Sequence, residues 1–572
     1  LALWAQVLSA YLLGFSAFAL MLPQAIEGWL AVLLVWHLVR RDFGAGAGIL
    51  AAGFLAVTPI SIAVDRSNNT DSLLVLVLLV AVWAFPRAGD RAAPWRLILA
   101  MALIGVGFNV KMAAALGLLP GIVVAYFITA RASWVWRVID LAAGVTALLL
   151  VSAAWLSVVA MTPPEGRPFV DSSVSNSILE LAVDHNALQR FLPNAWRQLA
   201  AHGVRAGATP VNPAAAPGTA GNAIGAPPQA TAPVRRAWTL APPPAVARLA
   251  SPVLASQVLW LLPLALGGAV AMVAARRGEA ACIWIGWAVA YAVVFSAAGG
   301  LFSPYYLVML GPPLAVLAGV GVAALVGLCR GHSYHRVWLP MMLILGFAWQ
   351  AYILHPEIWE GTRGMLLIAA LIGIVVALGG LVPALWRQRE TASVVTFAIG
   401  VTALLIAPAA WSITTIAHEG GRPLARLEPP LPWLRRSVSA ETEAALALLP
   451  FLQENRGGAR FLAATTNARL AAPLIIATGE PVIAFGGFLG SMPVLDGAAL
   501  EQLARTGALR FVILGRGRQF WASAPRTDAG QWVRTRGMRL DPETIAPSVG
   551  NTPVELFDLG EGSSPAARGD RS

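Results

Sequence analysis

Apolar residues in this chain come in long unbroken runs, not in the short alternating patterns of exposed sheets. Runs of about 20 such residues can cross a bilayer as helices. They fall near 17–38, 44–63, 71–86, 95–110, 112–130, 138–161, 254–274, 280–299, 304–328, 336–354, 363–386 and 393–416. The pattern predicts about twelve membrane helices, some of them short. Arginines gather at alternate junctions: Arg40 and Arg41, then Arg87, Arg91 and Arg96, then Arg131 and Arg137, Arg276 and Arg277, Arg330 and Arg336, and Arg387 and Arg389. Basic residues mark the cytoplasmic side. The weakly basic junctions, the loop at 162–253 and the region after the last run are therefore expected outside.

Three regions depart from this pattern. Residues 1–16 read as an interfacial amphipathic helix ahead of the membrane helices at 17–161. The 162–253 loop opens with helical apolar spacing in SVSNSILELAVDHNALQRF. From about 205 to 247 it turns into an Ala/Gly/Pro-rich stretch expected to be mobile, because that composition cannot bury a core. A second set of membrane helices fills 254–417. Residues 430–572 read as a small α/β domain, with strands at ARFLAA, PVIAF and LRFVIL and helices at SAETEAALALLPFLQENRGG, TNARLAAPLIIATG and DGAALEQLARTG. GGFLG after the second strand reads as a turn, since no phosphate-binding glycine pattern surrounds it.

Composition sharpens the class. The chain is 57% hydrophobic and 12% charged, where a soluble protein carries about 25% charged residues. It is a polytopic membrane protein. The net charge of +11 follows from arginines that orient the spans, so no nucleic-acid partner is expected. Cys282 and Cys329 stand at ends of apolar runs with no metal-ligand spacing and read as structural.

Candidate chemistry lies at the expected outer ends. VDRSNNTDSLLVLVLL places Asp65, Arg66, Asn68, Asn69 and Asp71 between two apolar runs. Asn-Thr-Asp is also a good helix start, yet capping needs one such residue and five polar groups are present. Lys111, in GFNVKMAAALGLLPG, is the sole lysine of the chain. An ammonium at membrane depth costs about 2.5–3.5 kcal/mol on insertion scales. An interfacial anchor could snorkel, but every other anchor here is arginine, so a compact point charge suited to phosphate is favoured. Tyr305 and Tyr306 open another apolar run, where aromatic belts are common. Glu180, Asp184, His185, Asn186 and Arg190 could line a cavity or face solvent.

Taken as a set, LALWAQVLSAYLLG, TPISIAVDRSNNTDSLLVLVLL, GFNVKMAAALGLLPG, SVSNSILELAVDHNALQRF, SPYYLVMLGPPLAVLAG and TTNARLAAPLIIATGEPVIAFGGFLGS resemble the polyprenyl-phosphate-sugar-dependent membrane glycosyltransferases of GT-C fold. That group includes the protein O-mannosyltransferases, the aminoarabinose transferases of lipid A, and bacterial mannosyltransferase-like proteins with an extracytoplasmic C-terminal domain. The resemblance implies a multi-pass protein of a bacterial plasma membrane. It implies a polyprenyl-phosphate sugar donor, surrounding membrane lipids and an extracytoplasmic acceptor as partners, and leaves any divalent metal open. It implies a catalytic role for Asp71 and donor-phosphate contacts for Lys111, Arg66, Tyr305 and Tyr306, with Asp65, Asn69, Glu180 and His185 as further cavity residues and no metal ligands among them. Two departures stand out. The family carries an acidic base and a Lys-Pro-Pro segment just ahead of a stretch like LALW, so that segment is expected upstream of Leu1. Ser303 stands where relatives often have His. A lipid-linked-sugar flippase and a non-catalytic scaffold are the alternatives. A flippase would show repeated halves with broken helices meeting at the midplane, and no repeat is visible.

Overall fold

A computed structural model describes residues 3–85, 94–163, 243–299, 302–329, 334–354, 361–417, 441–488, 494–515, 528–546 and 554–560, with parts of 166–191 and residues 490 and 492. Most of the 205–247 stretch expected to be mobile lies outside the described residues.

The chain opens with α1 (Trp4–Leu13), which ends at Gly14 with φ 81°. This ten-residue helix is inverted relative to a soluble one: Trp4, Leu8 and Tyr11 are exposed while Gln6 and Ser9 are buried. There follow α2 (Ala17–Phe43), α3 (Ala45–Ala56), α4 (Pro59–Asp65), α5 (Asp71–Ala84), α6 (Pro94–Lys111), α7 (Leu119–Thr129) and α8 (Trp134–Met161). The second set comprises Pro252–Val258, Leu262–Ala274, Gly278–Ala297, Gly311–Cys329, Trp338–Leu354, Gly361–Trp386 and Glu390–Ala417.

Among the described residues eight helices are long and apolar enough to cross a membrane, or ten if each of two bent pairs counts as one span, rather than the twelve expected. Two local features explain the difference. Helix α5, expected over 71–86, runs only from Asp71 to Ala84; its 14 residues rise about 21 Å, short of the roughly 30 Å hydrocarbon core. The 36-residue apolar stretch Pro94–Thr129 is continuous but not straight. Met112 has φ 46°, a left-handed conformation that ends α6. A Cβ added at Gly107 would lie 3.2 Å from the Ala115 Cβ, whereas eight residues of helix span about 12 Å. The chain therefore turns back on itself at Lys111–Met112, and a 3-10 turn over Met112–Leu118 leads into α7.

The bent pairs are α3–α4, at 63°, and Pro252–Val258 with Leu262–Ala274, at 60°. A helix break inside lipid exposes backbone carbonyls that must find donors. Here Ser412 Oγ donates to the Val57 carbonyl at 2.9 Å. Trp349 Nε1 donates to the Leu259 carbonyl at 2.6 Å, and Gln350 Nε2 to that of Trp260 at 3.5 Å. The cavity between the two breaks is only ≈ 20 Å³, room for about one water. Elsewhere glycines bring helix backbones together, as small residues do in membranes: a Cβ at Gly268 would lie 2.9 Å from the Gly321 nitrogen.

The C-terminal region forms a five-stranded mixed sheet in the order β2-β1-β3-β5-β4. The strands are β1 (Ala463–Thr465), β2 (Val482–Ala484), β3 (Phe511–Gly515), β4 (Met538–Leu540) and β5 (Val554–Asp558). Strands β2, β1 and β3 are parallel, and β5 runs antiparallel to β3 and β4. Both faces are covered: Phe511 and Ile513 enter one core, Val512 and Leu514 the other. This is why the strand reads as a continuous apolar run. Asn467 caps Ala468–Thr478, and Gly479 ends it in the left-handed region. Asp496 caps Gly497–Arg505. The GGFLG segment is a turn, with Gly487 and Gly490 at positive φ.

Candidate functional site

The start of α5 organises the polar groups. Asn69 Oδ1 accepts from the Asp71 backbone nitrogen at 3.0 Å, and Ser67 Oγ donates to the Val64 carbonyl at 2.8 Å. Asp71 then sits on the first turn, where the helix dipole favours a negative charge. Its side chain is 1% exposed and pairs with Lys111, itself 17% exposed, across 40 residues of sequence. Leaving either partner alone would strand a buried charge, at about 3–5 kcal/mol.

Lys111 is also held from its other side. Its Nζ lies 4.7 Å from the Tyr305 ring centroid and 5.0 Å from that of Tyr306, and the two rings meet edge to face. Each such contact is worth roughly 0.5–2 kcal/mol, most when desolvated. The turn at Met112 aims the ammonium here. A non-glycine residue at positive φ is uncommon, and strained backbone of this kind concentrates at functional sites.

This cluster closes one end of a cavity of ≈ 270 Å³, lined by Asp71, Lys111, Tyr306 and Asn186 at the polar end. Gly117, Tyr291, Val294, Phe295 and Phe302 supply walls that are otherwise apolar. Tyr291 donates to the Ala114 carbonyl at 2.5 Å, tying the post-Lys111 turn to the Gly278–Ala297 helix. Asn186 donates to the Leu181 carbonyl and to Met112 Sδ, each at 3.0 Å. Buried Arg248 donates to the carbonyls of Phe295 and Ala298, at 2.9 and 2.5 Å, which end the Gly278–Ala297 helix. It also stacks 4.2 Å over Phe302, whose ring packs edge-on against Tyr306. Sequence reasoning passed over Tyr291 and Arg248. A tyrosine in AVAYAVVF carries no outward signal, and an arginine in a Pro/Ala-rich segment looks like solvated loop.

The remaining expected site residues lie elsewhere. Arg66 and Asp65 line a second cavity of ≈ 340 Å³, with Gly28, Trp29, Ser61 and Ser72. Ser72 Oγ donates to Asp65 Oδ1 at 2.6 Å. The Asp65 carboxyl packs on the α2 backbone so closely that a Cβ at Gly28 would collide with it. Asn69 serves as the cap just described. Glu180 is half-buried on a short helix capped by Ser177. The side chains of Asp184, His185 and Arg190 lie outside the described residues. Among the described residues no group of three or more His, Cys, Asp or Glu is placed to hold a metal.

Comparison with known proteins agrees with this architecture. Residues 1–156 match the family model described as "Dolichyl-phosphate-mannose-protein mannosyltransferase". Residues 448–536 match "Putative mannosyltransferase YkcB-like, C-terminal". The chain is 29% identical to "Putative mannosyltransferase YkcB" of Bacillus subtilis, over 94% of this chain and 83% of that protein. It is 28% identical to "Putative mannosyltransferase YycA" of the same organism, over 96% and 87%. Among solved structures it is similar to ArnT from Cupriavidus metallidurans bound to undecaprenyl phosphate, with TM-score 0.54 and 17% identity over 98% of this chain and 88% of that one. It is also similar to the apo state of ArnT, with TM-score 0.52 and 15% identity. The expected resemblance is thus met: the chain is mannosyltransferase-like in sequence and has the GT-C fold of ArnT, with a small α/β sheet region at its C-terminal end.

Proposed function

We propose that this chain is a membrane glycosyltransferase that moves a sugar from a polyprenyl phosphate to an acceptor on the extracytoplasmic side of a bacterial plasma membrane. The observation that carries the reading is the Asp71–Lys111 pair, ringed by Tyr305 and Tyr306, at the polar end of an otherwise apolar cavity. An amphiphile with one anionic end fits that shape. The likeness to ArnT, whose structure was solved bound to undecaprenyl phosphate, supports a lipid of this class. The alternating arginines support the orientation and an extracytoplasmic C-terminal region.

In the reaction an acceptor oxygen or nitrogen attacks the anomeric carbon, the bond from that carbon to the phosphate oxygen breaks, and polyprenyl phosphate leaves. Lys111 holds the phosphate and balances the charge that grows on it as the bond breaks. Asp71 keeps the ammonium charged and aimed. A carboxylate takes the acceptor proton. Asp71 is the one at this cavity, while the resemblance places a further acid ahead of a LALW-like stretch. Arg66 lines the second cavity, so its contribution to the phosphate would be indirect. A flippase draws no support from the broken helices, because their freed carbonyls are capped by side chains and the space between them holds about one water.

Membranes carrying the natural protein, supplied with a radiolabelled polyprenyl-phosphate hexose or pentose, test the proposal. Transfer is expected to be lost in Asp71→Asn and Lys111→Ala while membrane insertion is retained. Transfer at the normal rate by both variants would overturn the assignment.

A further inference from the structure

The second cavity lies back to back with the first. Asp71 and Met309 line one, and their chain neighbours Ser72 and Val308 line the other. We propose that the Asp65 cavity binds the hydroxyl-rich headgroup of a membrane lipid, a sugar or polyol on a lipid anchor, and presents it beside the start of α5. That this lipid is the acceptor rests on the transferase reading; that the cavity binds such a headgroup does not.

Depth is the first argument. Helix α2 has 27 residues, and Glu27 and Gly28 stand about 15 Å along it. The Asp65 carboxyl packs against Gly28, and Glu27 lies close enough to Asp65 to feel its charge. Carboxyls at that depth cost about 2.5–3.5 kcal/mol each on insertion scales and mark function by default. Arg66 lines the same cavity, and among the described residues it makes no ion pair. The charges are thus gathered but not paired off as Asp71 and Lys111 are.

The donor and acceptor inventory is the second argument. At the cavity wall Asp65 offers acceptors and Arg66 offers donors, with Glu27 near Asp65. Ser61 is 6% exposed, lines the cavity, and its Oγ finds no partner among the described residues. A buried hydroxyl left so costs about 1–3 kcal/mol, which a ligand would recover. A phosphate would face the Asp65 carboxyl and a simple cation the arginine, so neither satisfies both groups. A neutral polyol supplies donors and acceptors together. Trp29 adds an apolar face of the kind on which a sugar ring's C–H face rests.

Access is the third. Trp29 and Ile416 line the cavity and are 62% and 58% exposed on the surface of the helix bundle. The mouth therefore opens sideways, between α2 and Glu390–Ala417, where lipid would lie. At ≈ 340 Å³ the space falls at the small end of ligand sites, of the order of 300–1,000 Å³, which suits one headgroup.

Native mass spectrometry of the full chain in detergent, with monoglucosyl diacylglycerol, dioleoylglycerol, maltose and undecaprenyl phosphate as probes, tests this. The wild type is expected to retain the glucosyl lipid about tenfold better than dioleoylglycerol. Glu27→Gln with Asp65→Asn should lower that retention about tenfold. Ile416→Trp narrows the mouth from an exposed position without touching a polar group, so it should act alike and survive folding. Both variants should keep undecaprenyl phosphate. Equal retention of the two diacylglycerols by the wild type, unchanged glucosyl-lipid retention in both variants, or parallel loss of undecaprenyl phosphate in both would overturn the proposal. Displacement of the glucosyl lipid by free maltose would overturn entry from the membrane. Glucosyl-lipid binding in a wild type that ignores undecaprenyl phosphate would uphold this cavity and fault the donor reading instead.

Discussion

The two cavities beside the first turn of α5 hold charge in different ways. In one, Lys111 and Asp71 neutralise each other within a ring of aromatic edges and faces. In the other, Asp65 is held only by a neutral hydroxyl, that of Ser72, with Arg66 nearby and unpaired among the described residues. In the first, on the proposed reading, an incoming phosphate shares the ammonium that Asp71 holds. The second is built to receive donors and acceptors at once. A single turn of helix thus separates the two cavities, one proposed for an anion and the other for a neutral, hydroxylated group.

The comparison breaks most sharply at the ion pair. Lys111→Met alone leaves Asp71 buried without a partner and should cost about 3–5 kcal/mol of stability, read as a lowered melting temperature, together with complete loss of transfer. The double change Lys111→Met with Asp71→Leu should regain most of that stability and none of the transfer. Recovery of transfer in the double variant would show that the pair is merely structural. Lys111→Arg keeps the charge but spreads it over a planar fork. It should fold normally and lose roughly ten- to a hundredfold in kcat/KM, that is about 1.4–2.8 kcal/mol of transition-state stabilisation.

Next comes Arg248, which reaches the site only through Phe302 and Tyr306. Arg248→Gln should loosen the end of the Gly278–Ala297 helix, cost about 1.5–3 kcal/mol, and raise the donor KM more than it lowers kcat. Steady-state kinetics with varied donor would separate the two. Asp65→Asn sharpens the contrast from the other side, because it should raise the acceptor KM several-fold and leave the donor KM alone. The smallest effect is expected far away. Arg534 and Glu555 pair at 3.2 Å on the C-terminal sheet, with the arginine partly in water, so Arg534→Ala should cost under about 1 kcal/mol and leave transfer unchanged.

Sequence pattern shows one cavity far better than the other, for a physical reason. A lone lysine and an aspartate at a helix start are conspicuous in an apolar chain because each is costly there. Their pairing across 40 residues depends on the turn at Met112, which no composition reveals. Glu27 lies inside the apolar run at 17–38 and was not singled out. Arg66 was grouped with Lys111 because the resemblance implies a phosphate contact for both, yet the two residues line different cavities. In the sheet region, the parallel strands β1, β2 and β3, buried or half-buried, were legible as apolar runs between capped helices. Strand β4 was missed because Met538 and Arg539 are exposed, and β5 because VELFD mixes charge into a mostly buried strand. Among the described residues the count of twelve spans is not reached, because α5 has 14 residues and the runs at 95–110 and 112–130 form one apolar stretch that turns at Lys111–Met112.

Binding of undecaprenyl phosphate to the purified full chain, compared between wild type and Lys111→Met with Asp71→Leu, tests the central claim most directly. The double variant removes the charges without stranding one, so a folding defect does not confuse the result. Loss of binding by at least about a hundredfold, with the Asp65 cavity still occupied by its own probe, is the predicted outcome. Undiminished binding would mean that the lipid phosphate docks somewhere other than Lys111.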